Sequence, residues 1–431
     1  MCQLRLSKYT RVYNDKQQVI LYSSLTGKII RTEKSIWLEI NSKSIDSDQI
    51  ENKKLVSSLL DAKILVPKEF SEEQFLSNLK NKYVTESGEL SVMIFSSDLC
   101  NFRCKYCWEN HNGINMKEAT INSVKKFLSS EIPKYKRLSV KWFGGEPLLN
   151  VYAIEEIMQH CIIECKKNGT MLMGSITTNG YLLDVDMVRR LMHCKIYAYQ
   201  VTIDGIQREH DKMRVLSNGD GSFMTIVNNL CSIMREIKSS SLRLLIRTNI
   251  SNETDISQYA KFYKEKFGEE KRFSAYWNAV MDWGGDSIEK IRSKMIKSYD
   301  KASFNEIAIN HGIKMIIERE LLNPGGLVCY ASKQNSVIIG TKGEIFKCPQ
   351  RIYDNFDYLG HLSNGGILMI DQRKKQEWEE DNELPKCSNC ILRPVCLGAS
   401  CPKRKFTNQY CPYSEEQVER LVRIFSKVEG Q

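Results

Sequence analysis

The chain has 431 residues, of which 42% are hydrophobic and 26% are charged, with a formal net charge of +10. This length predicts two or three domains, and the modest charge favours a solvated surface over a nucleic-acid partner. The sequence has neither a signal-peptide core nor an apolar run near the roughly 20 residues that span a bilayer. We therefore expect a cytoplasmic protein without a membrane segment. In that compartment the 15 cysteines are expected to be metal ligands rather than disulfides.

The first 85 residues predict a small unit of strands and helices. Residues 18–31 have the pattern of a hairpin with Thr26 and Gly27 at or near the turn. Two helical stretches and a returning strand follow, at residues 35–41, 50–62 and 64–66. This order of elements predicts a winged-helix-like domain over residues 1–85.

Residues 88–320 alternate between β-rich apolar runs and helical patterns, which predicts successive βα units and a parallel sheet. The predicted strands are 90–96, 138–143, 171–177, 196–203, 242–250 and 272–279. The predicted helices are 117–130, 151–168, 184–193, 224–238 and 255–267. Six such strands make a partial barrel, and in barrels of this kind the chemistry is expected at the C-terminal ends of the strands.

Three cysteines follow the first of these strands. Cys100, Cys104 and Cys107 have the spacing Cys-x3-Cys-x2-Cys, followed by Trp108. Thiolates are the ligands of iron–sulfur clusters, and three thiolates leave one iron of a [4Fe–4S] cluster for another ligand. A zinc site with His111 as its fourth ligand, or buried apolar thiols, are the alternatives at this point.

A second motif follows the second strand, at Gly144, Gly145, Glu146 and Pro147. Two glycines allow close approach of the backbone to a ligand, and Glu146 offers a carboxylate to an ammonium group. A simple turn is the alternative.

Polar residues also stand at the ends of the third, fourth and fifth strands. They are Ser175, Thr177 and Asn179, then Asp204, then Arg247. They are candidates for binding a cofactor or substrate at the barrel mouth, although Asn-Gly and Asp-Gly are also common turn residues and Arg247 could be structural.

Seven further cysteines lie between residues 329 and 411. They are Cys329, Cys348, Cys387, Cys390, Cys396, Cys401 and Cys411. A hairpin is predicted before Cys348. Cys161 and Cys165 have the spacing and neighbours of core residues, and residues 415–427 predict an amphipathic helix that packs on the barrel.

The triple cysteine and the later Gly-Gly-Glu-Pro together resemble the radical S-adenosylmethionine (SAM) superfamily. The resemblance implies an α/β fold, a partial (βα)6 TIM-like barrel, with a cluster on Cys100, Cys104 and Cys107 whose open iron binds SAM. It implies that Gly144–Pro147 binds the SAM amino group and that Arg247 could pair with its carboxylate. Ser175, Thr177, Asn179 and Asp204 would then hold SAM or substrate.

The C-terminal cysteines resemble the SPASM domain, here expected over residues 325–413 with a final helix at 414–431. That domain carries two auxiliary [4Fe–4S] clusters, which would make three in all. By position, Cys387, Cys390, Cys396 and Cys411 would bind the outer cluster, and Cys329, Cys348 and Cys401 the inner one. Four residues rather than the usual three separate Cys396 from Cys401, and the inner cluster would keep an open iron for solvent, substrate or a distant side chain such as His361. A zinc ribbon is the alternative.

The N-terminal unit resembles the recognition element by which maturases of ribosomally made peptides (RiPPs) capture a leader peptide as an added strand. The combination implies a cytoplasmic maturase that cleaves SAM to a 5′-deoxyadenosyl radical, abstracts a hydrogen atom from a precursor peptide and installs a C–C, C–O or thioether crosslink. It also implies an electron donor such as flavodoxin or ferredoxin. A sulfatase-maturing enzyme that makes formylglycine, and an iron–sulfur regulator that binds nucleic acid, are the alternative functions.

Overall fold

The computed structural model describes most of the chain. The described residues are 3–42, 52–85, 88–109, 111, 113–280, 289, 291–295, 301–349, 357–380, 383–402, 411 and 414–428. They form two compact units. The first contains residues 1–87, 317–334 and 379–431, and the second contains residues 88–316 and 335–378.

The N-terminal part of the first unit has two small antiparallel sheets and three helices. A three-stranded sheet is formed by β2 (Thr10–Asp15), β3 (Gln18–Ser23) and β4 (Ile29–Glu33), and β1 (Leu4–Leu6) pairs with β5 (Leu65–Pro67). The helices are α1 (Lys34–Ser42), α2 (Lys53–Asp61) and α3 (Glu72–Lys80). The predicted hairpin, helices and returning strand are confirmed, except that residues 50 and 51 lie outside the described part. Strands β1 and β2 were not predicted.

One apolar core joins these elements. Leu21 of β3, Trp37 and Ile40 of α1, and Leu59 of α2 are all at most 4% exposed and pack together. Because burial of each such side chain contributes roughly 1.5–3 kcal/mol, this core fixes α1 and α2 against the three-stranded sheet.

The C-terminal helix belongs to the same unit and corrects one prediction. Helix α14 (Glu415–Val428) has the predicted apolar stripe, and Val418, Leu421, Val422 and Phe425 are buried. We expected this stripe to pack on the barrel, but α14 packs on β3 and β4. The amphipathic pattern identified the buried face of the helix but contained no information about its partner.

The second unit is built on a parallel sheet. Its strands are β6 (Glu89–Ser97), β7 (Arg137–Gly144), β8 (Met171–Thr178), β9 (Ile196–Thr202), β10 (Arg243–Ile250) and β11 (Phe273–Ala279). They lie side by side in chain order and are all parallel. The α/β fold and the six strands predicted from the sequence are confirmed.

Helices connect these strands. They are α4 (Glu118–Glu131), α5 (Val151–Asn168), α6 (Val185–His193), α7 (Gln207–Met213), α8 (Phe223–Glu236) and α9 (Ile256–Phe267), with α10 (Lys301–Asn310) and α11 (Ile316–Glu320) after β11. Asp184 and Asp255 cap the first turns of α6 and α9 through hydrogen bonds to Met187 N–H (2.7 Å) and Gln258 N–H (2.9 Å). The described helices include none long and apolar enough to cross a membrane.

Four more strands extend the sheet beyond β6. Strand β12 (Ser336–Ile339) runs parallel to β6, and β13 (Glu344–Phe346), β14 (Gly360–Leu362) and β15 (Leu368–Ile370) follow in antiparallel order. The hairpin predicted before Cys348 is therefore confirmed as β12–β13. Its pairing with β6 was not predicted. The remaining described helices are α12 (Gln372–Glu379) and α13 (Arg393–Cys396).

Candidate cofactor site

The cysteine loop begins where β6 ends, and it presses on the end of β7. Gly145 N–H donates to Ser97 O (3.0 Å) and Glu146 N–H donates to Leu99 O (2.8 Å). A Cβ atom on Gly144 would lie 2.5 Å from Ser97 O, and one on Gly145 would lie 2.4 Å from Leu99 O. Gly144 also has a φ of +118°. Only glycine leaves room at these two positions for the loop carbonyl groups of Ser97 and Leu99.

The loop turns so that its three thiols come into mutual electrostatic range. Cys107 N–H donates to Cys104 O (3.1 Å), and Phe102 N–H donates to the Cys100 sulfur (3.3 Å). Burial, reinforced by the negative charges of Glu146 and Cys104, raises the pKa of Cys100 to about 12. Burial likewise raises the pKa of Cys104 and of Cys107.

Glu146 is fully buried and ties β7 to β8. One carboxylate oxygen accepts hydrogen bonds from Thr178 Oγ1 (2.7 Å) and Leu148 N–H (3.0 Å), and the other accepts from Asn179 N–H (2.7 Å). Asn179 in turn donates to Asn101 Oδ1 (2.7 Å) in the cysteine loop. Glu146 and Asn179 thus join three consecutive strand ends, and Pro147 begins a short turn directly after them.

A buried polar cluster holds the other side of the loop. The Tyr106 hydroxyl donates to one oxygen of Asp204 and accepts from the Arg214 guanidinium (2.6 Å). The other Asp204 oxygen accepts from Asn249 N–H (2.7 Å). Both Asp204 oxygens are therefore engaged by the chain, and the cluster anchors Tyr106 to the ends of β9 and β10. The sequence analysis missed Tyr106 and did not assign Arg214.

His210 supports this cluster from α7. Its Nδ1 accepts from Asp204 N–H (3.2 Å), and its Nε2 lies 3.0 Å from the Ser222 hydroxyl, which donates to Arg214 O (2.9 Å). Burial, together with the nearby Arg214 charge, holds the pKa of His210 well below its usual range. His210 is therefore a neutral structural residue that fixes the backbone around Asp204 and Arg214.

The remaining candidates lie along the strands. Ser175 and Thr177 are half-buried on the face of β8 opposite Ile176 and Thr178. Arg247 of β10 is half-buried, its Nε donates to Asn249 Oδ1 (3.0 Å), and its guanidinium lies 5.6 Å from the Tyr276 ring centroid. Arg247 thus contacts the Asp204 cluster through Asn249.

Glu109 is a residue of this site that the sequence analysis missed. It lies two positions after Cys107 and is only 8% exposed. Burial, with the charges of Asp98 and Glu146, raises the pKa of Glu109 to about 8. Its one sequence signal, nearness to the cysteines, does not distinguish a buried carboxylate from an exposed one.

The four cysteines assigned to the outer cluster all lie in the first unit. Cys390 N–H donates to Cys387 O (3.1 Å), and Leu384 N–H donates to the Cys387 sulfur (3.3 Å). Burial raises the pKa of Cys390, and the Cys411 and Cys387 thiols are close enough to add to that shift. Cys396 ends helix α13.

The three cysteines assigned to the inner cluster are divided between the units. Cys329 N–H donates to Ala399 O (2.8 Å), so Cys329 lies beside the short loop that ends at the exposed Cys401. In that loop Leu397 has a φ of +51° and is followed by Gly398 at +68°. These two left-handed residues turn the backbone between Cys396 and Cys401. Cys348 follows β13 in the other unit.

In the described part of the chain, no three Cys, His, Asp or Glu side chains converge as the ligands of one metal ion would. The loop of Cys100, Cys104 and Cys107 has a backbone N–H directed at the Cys100 sulfur and lies against Gly144 and Gly145, which are features that suit an iron–sulfur cluster with an attached cofactor.

Comparison with known proteins agrees with this geometry. Residues 94–255 match the Radical SAM superfamily. The radical SAM cyclopropyl synthase TigE of Paramaledivibacter caminithermalis is 23% identical over 92% of this chain and 90% of its own.

Two solved structures have the same fold. Native anSMEcpe with bound AdoMet and the Cp18Cys peptide has a TM-score of 0.58 at 17% identity, over 79% of this chain and 98% of its own. Streptococcus suis SuiB bound to S-adenosylmethionine has a TM-score of 0.52 at 16% identity, over 91% and 94%.

The glycine contact yields a first prediction. Gly144→Ala should lower iron uptake at the cysteine loop, because the new Cβ would lie 2.5 Å from Ser97 O and would push the loop away. Iron content and visible absorbance after anaerobic reconstitution measure this. Gly169→Ala is the matched control, since Gly169 also has a positive φ (+67°) but nothing lies within 4 Å of its Cβ position. Equal iron uptake by the two variants would contradict the prediction.

Proposed function

The protein is a radical SAM enzyme with the α/β fold of that superfamily, and we propose that it is a RiPP maturase that installs an oxidative crosslink in a precursor peptide. The observation that carries the proposal is the combination of the cysteine loop in one unit with a groove in the other unit, beside a strand edge that has no strand partner among the described residues. The similarity to TigE over 92% of the chain supports this proposal.

In this proposal, Cys100, Cys104 and Cys107 bind the first cluster and leave one iron for SAM. When bound, cluster and SAM supply a 5′-deoxyadenosyl radical that removes a hydrogen atom from an unactivated carbon. The chain's contribution is positioning: Gly144 and Gly145 allow the loop to approach β7, while Glu146 and Asp204 fix the strand ends around it. Ser175, Thr177, Asn179 and Arg247 are proposed to contact SAM or the substrate.

The C-terminal cysteines are proposed to bind two auxiliary clusters that accept the electron released when the crosslink forms. Cys387, Cys390, Cys396 and Cys411 would bind the outer one, and Cys329, Cys348 and Cys401 the inner one. We further propose a cytoplasmic setting, where a flavodoxin- or ferredoxin-like donor reduces the first cluster.

A groove in the first unit supports peptide binding. It has a volume of about 650 Å³ and lies between β4 and α2, lined by Ile29, Ile30 and Arg31 on one side and by Lys54, Leu55 and Ser58 on the other. Strand β4 is the last strand of its sheet, and among the described residues it pairs only with β3.

An edge strand next to such a groove suits strand addition. The outer backbone groups of β4 can pair with an extended peptide, which supplies affinity, and the groove can accept alternate side chains, which supplies selectivity. The apolar Leu55 and Ile30 would receive apolar side chains of a leader, and the basic Lys54 would favour acidic ones, whereas Arg31 is already paired with Asp15. We therefore propose that residues 1–85 bind the leader.

The proposed reaction is tested with a candidate precursor, a short peptide to be sought among the reading frames next to the gene. Anaerobic incubation with SAM and a reductant should yield 5′-deoxyadenosine, and the co-expressed peptide should lose about 2 Da as two hydrogens leave on crosslinking. Mass spectrometry measures both. Conversion of a Cys or Ser to formylglycine would instead show a sulfatase-maturing activity, and absence of 5′-deoxyadenosine would contradict both enzyme functions.

The groove yields a separate prediction. Leu55→Glu should weaken leader binding by about tenfold or more, since an apolar side-chain contact contributes roughly 1.5–3 kcal/mol. SAM cleavage without peptide should not change. Leu38→Glu is the control, because Leu38 is 55% exposed on α1 and does not line the groove. Fluorescence anisotropy with a labelled leader measures affinity, and equal affinities for both folded variants would contradict leader binding in the groove.

A further inference from the structure

One side of the parallel sheet is open, and Arg247 lies on it. Along β10, Leu244, Ile246 and Thr248 are at most 1% exposed. The residues between them point to the other side of the sheet, where Arg243 is exposed and Arg247 is half-buried. We call this second side the open face.

The open face is positively charged. Lys141 of β7 pairs with Ser175 of β8, and the register continues through β9 to Arg243 of β10. By this register all basic residues of strands β7 to β11 lie on the open face, namely Arg137, Lys141, Arg243 and Arg247. None of these five strands, which are all described, contains an aspartate or a glutamate. A ligand of the open face is therefore expected to be acidic.

Arg247 is the basic residue of this face that its neighbours hold in a fixed position. Its Nε donates to Asn249 Oδ1 (3.0 Å), and its guanidinium lies 5.6 Å from the ring centroid of Tyr276, its neighbour in register on β11. Its two terminal nitrogens have no acceptor among the described residues. A guanidinium held this way presents two parallel donors, which is the geometry that binds a carboxylate.

The carboxylate on the other side of Asn249 does not fill this place. Asp204 accepts from Asn249 Nδ2 (3.2 Å) and N–H (2.7 Å), and its second oxygen accepts from Tyr106. The cation beside Asp204 is Arg214, at 3.9 Å. Asp204 is thus satisfied by other groups, and Arg247 forms no ion pair with a described carboxylate.

The carboxylate of SAM is a poor match for Arg247. In SAM this carboxylate is bonded to the same carbon as the amino group, whose proposed site is Gly144–Pro147 at the end of β7. Strand β10 lies three strands from β7, about 14 Å along the sheet at the usual strand spacing. The SAM carboxylate is therefore expected closer to β7 than to Arg247, which leaves Arg247 for the substrate.

We propose that Arg247, supported by Tyr276, binds a carboxylate of the peptide segment that reacts. The carboxylate belongs to an Asp or Glu side chain or to the peptide C-terminus. Arg247 lies in the same unit as the cysteine loop, whereas the proposed leader groove lies in the other unit. The inference rests on the proposed peptide substrate and adds that its reacting segment carries a negative charge beside the modified residue.

The experiment measures binding of short peptides to the full-length protein, reconstituted and loaded with SAM but without reductant. Three N-acetylated tripeptides are the probes: an amidated one with a central Glu, an amidated one with a central Gln, and trialanine with a free C-terminus. Ligand-observed NMR gives the dissociation constants. Arg247→Gln removes the charge, and Arg243→Gln is the matched control, since it removes a charge from the same face of the same strand.

Wild type should bind the Glu peptide at least about tenfold more tightly than the Gln peptide, as expected for a hydrogen-bonded charge pair. Arg247→Gln should lose this preference and Arg243→Gln should keep it. A preference for the free C-terminus instead, lost in the same variant, would assign the carboxylate to the end of the peptide. Equal affinity of wild type for all three probes, or no binding of any, would overturn the inference.

A SAM titration separates the two sources of a carboxylate. Arg247→Gln should bind SAM as wild type does at equal iron content, and weaker SAM binding would overturn the inference by assigning Arg247 to the cofactor. If Arg247→Gln takes up less iron, Arg247→Lys decides. It keeps the charge and should still prefer the Glu peptide, and absence of that preference at wild-type iron content would overturn the inference.

The outcome is distinguishable from that of the proposed function. Peptide binding is measured without SAM cleavage, so a precursor that is not crosslinked would contradict the maturase proposal without affecting the Arg247-dependent preference. Crosslinking of a precursor by wild type, together with an unchanged preference in Arg247→Gln, would overturn this inference alone.

Discussion

The close contact between the cysteine loop and the end of β7 is the constraint on which the rest of the site depends. Ser97 O and Leu99 O occupy the positions where side chains of Gly144 and Gly145 would begin. Two backbone hydrogen bonds, from Gly145 N–H and Glu146 N–H, form because that space is free. The start of the loop is therefore held directly against the end of β7.

Buried charged groups lie on both sides of the loop. Since Glu146 continues directly from the glycines, its carboxylate turns inward and joins β7 to the end of β8. On the other side, Tyr106 reaches Asp204 and Arg214 at the end of β9 and α7. The loop is thus held from two sides by buried polar groups whose hydrogen bonds are made within the chain.

The sequence was sufficient to predict the six parallel strands, because each is a short apolar run followed by a helical pattern. It was also sufficient for the glycine motif, since a Gly-Gly pair at a strand end indicates a close approach of the backbone to another group. It was not sufficient for the β6–β12 pairing, which joins segments about 240 residues apart whose apolar runs carry no mark of their partner. The same reason explains the wrong placement of α14. Glu109 and Tyr106 were missed because burial of a polar residue depends on tertiary neighbours that no local pattern records.

The central claim is that the loop of Cys100, Cys104 and Cys107 binds a cluster of its own, separate from the two proposed for the C-terminal cysteines. Iron analysis of the anaerobically reconstituted protein tests it most directly. With three [4Fe–4S] clusters the account predicts about 12 irons per chain, falling to about 8 when these three cysteines are replaced by alanine. An unchanged iron content in the triple variant, or zinc in place of iron at the C-terminal cysteines, would contradict the account.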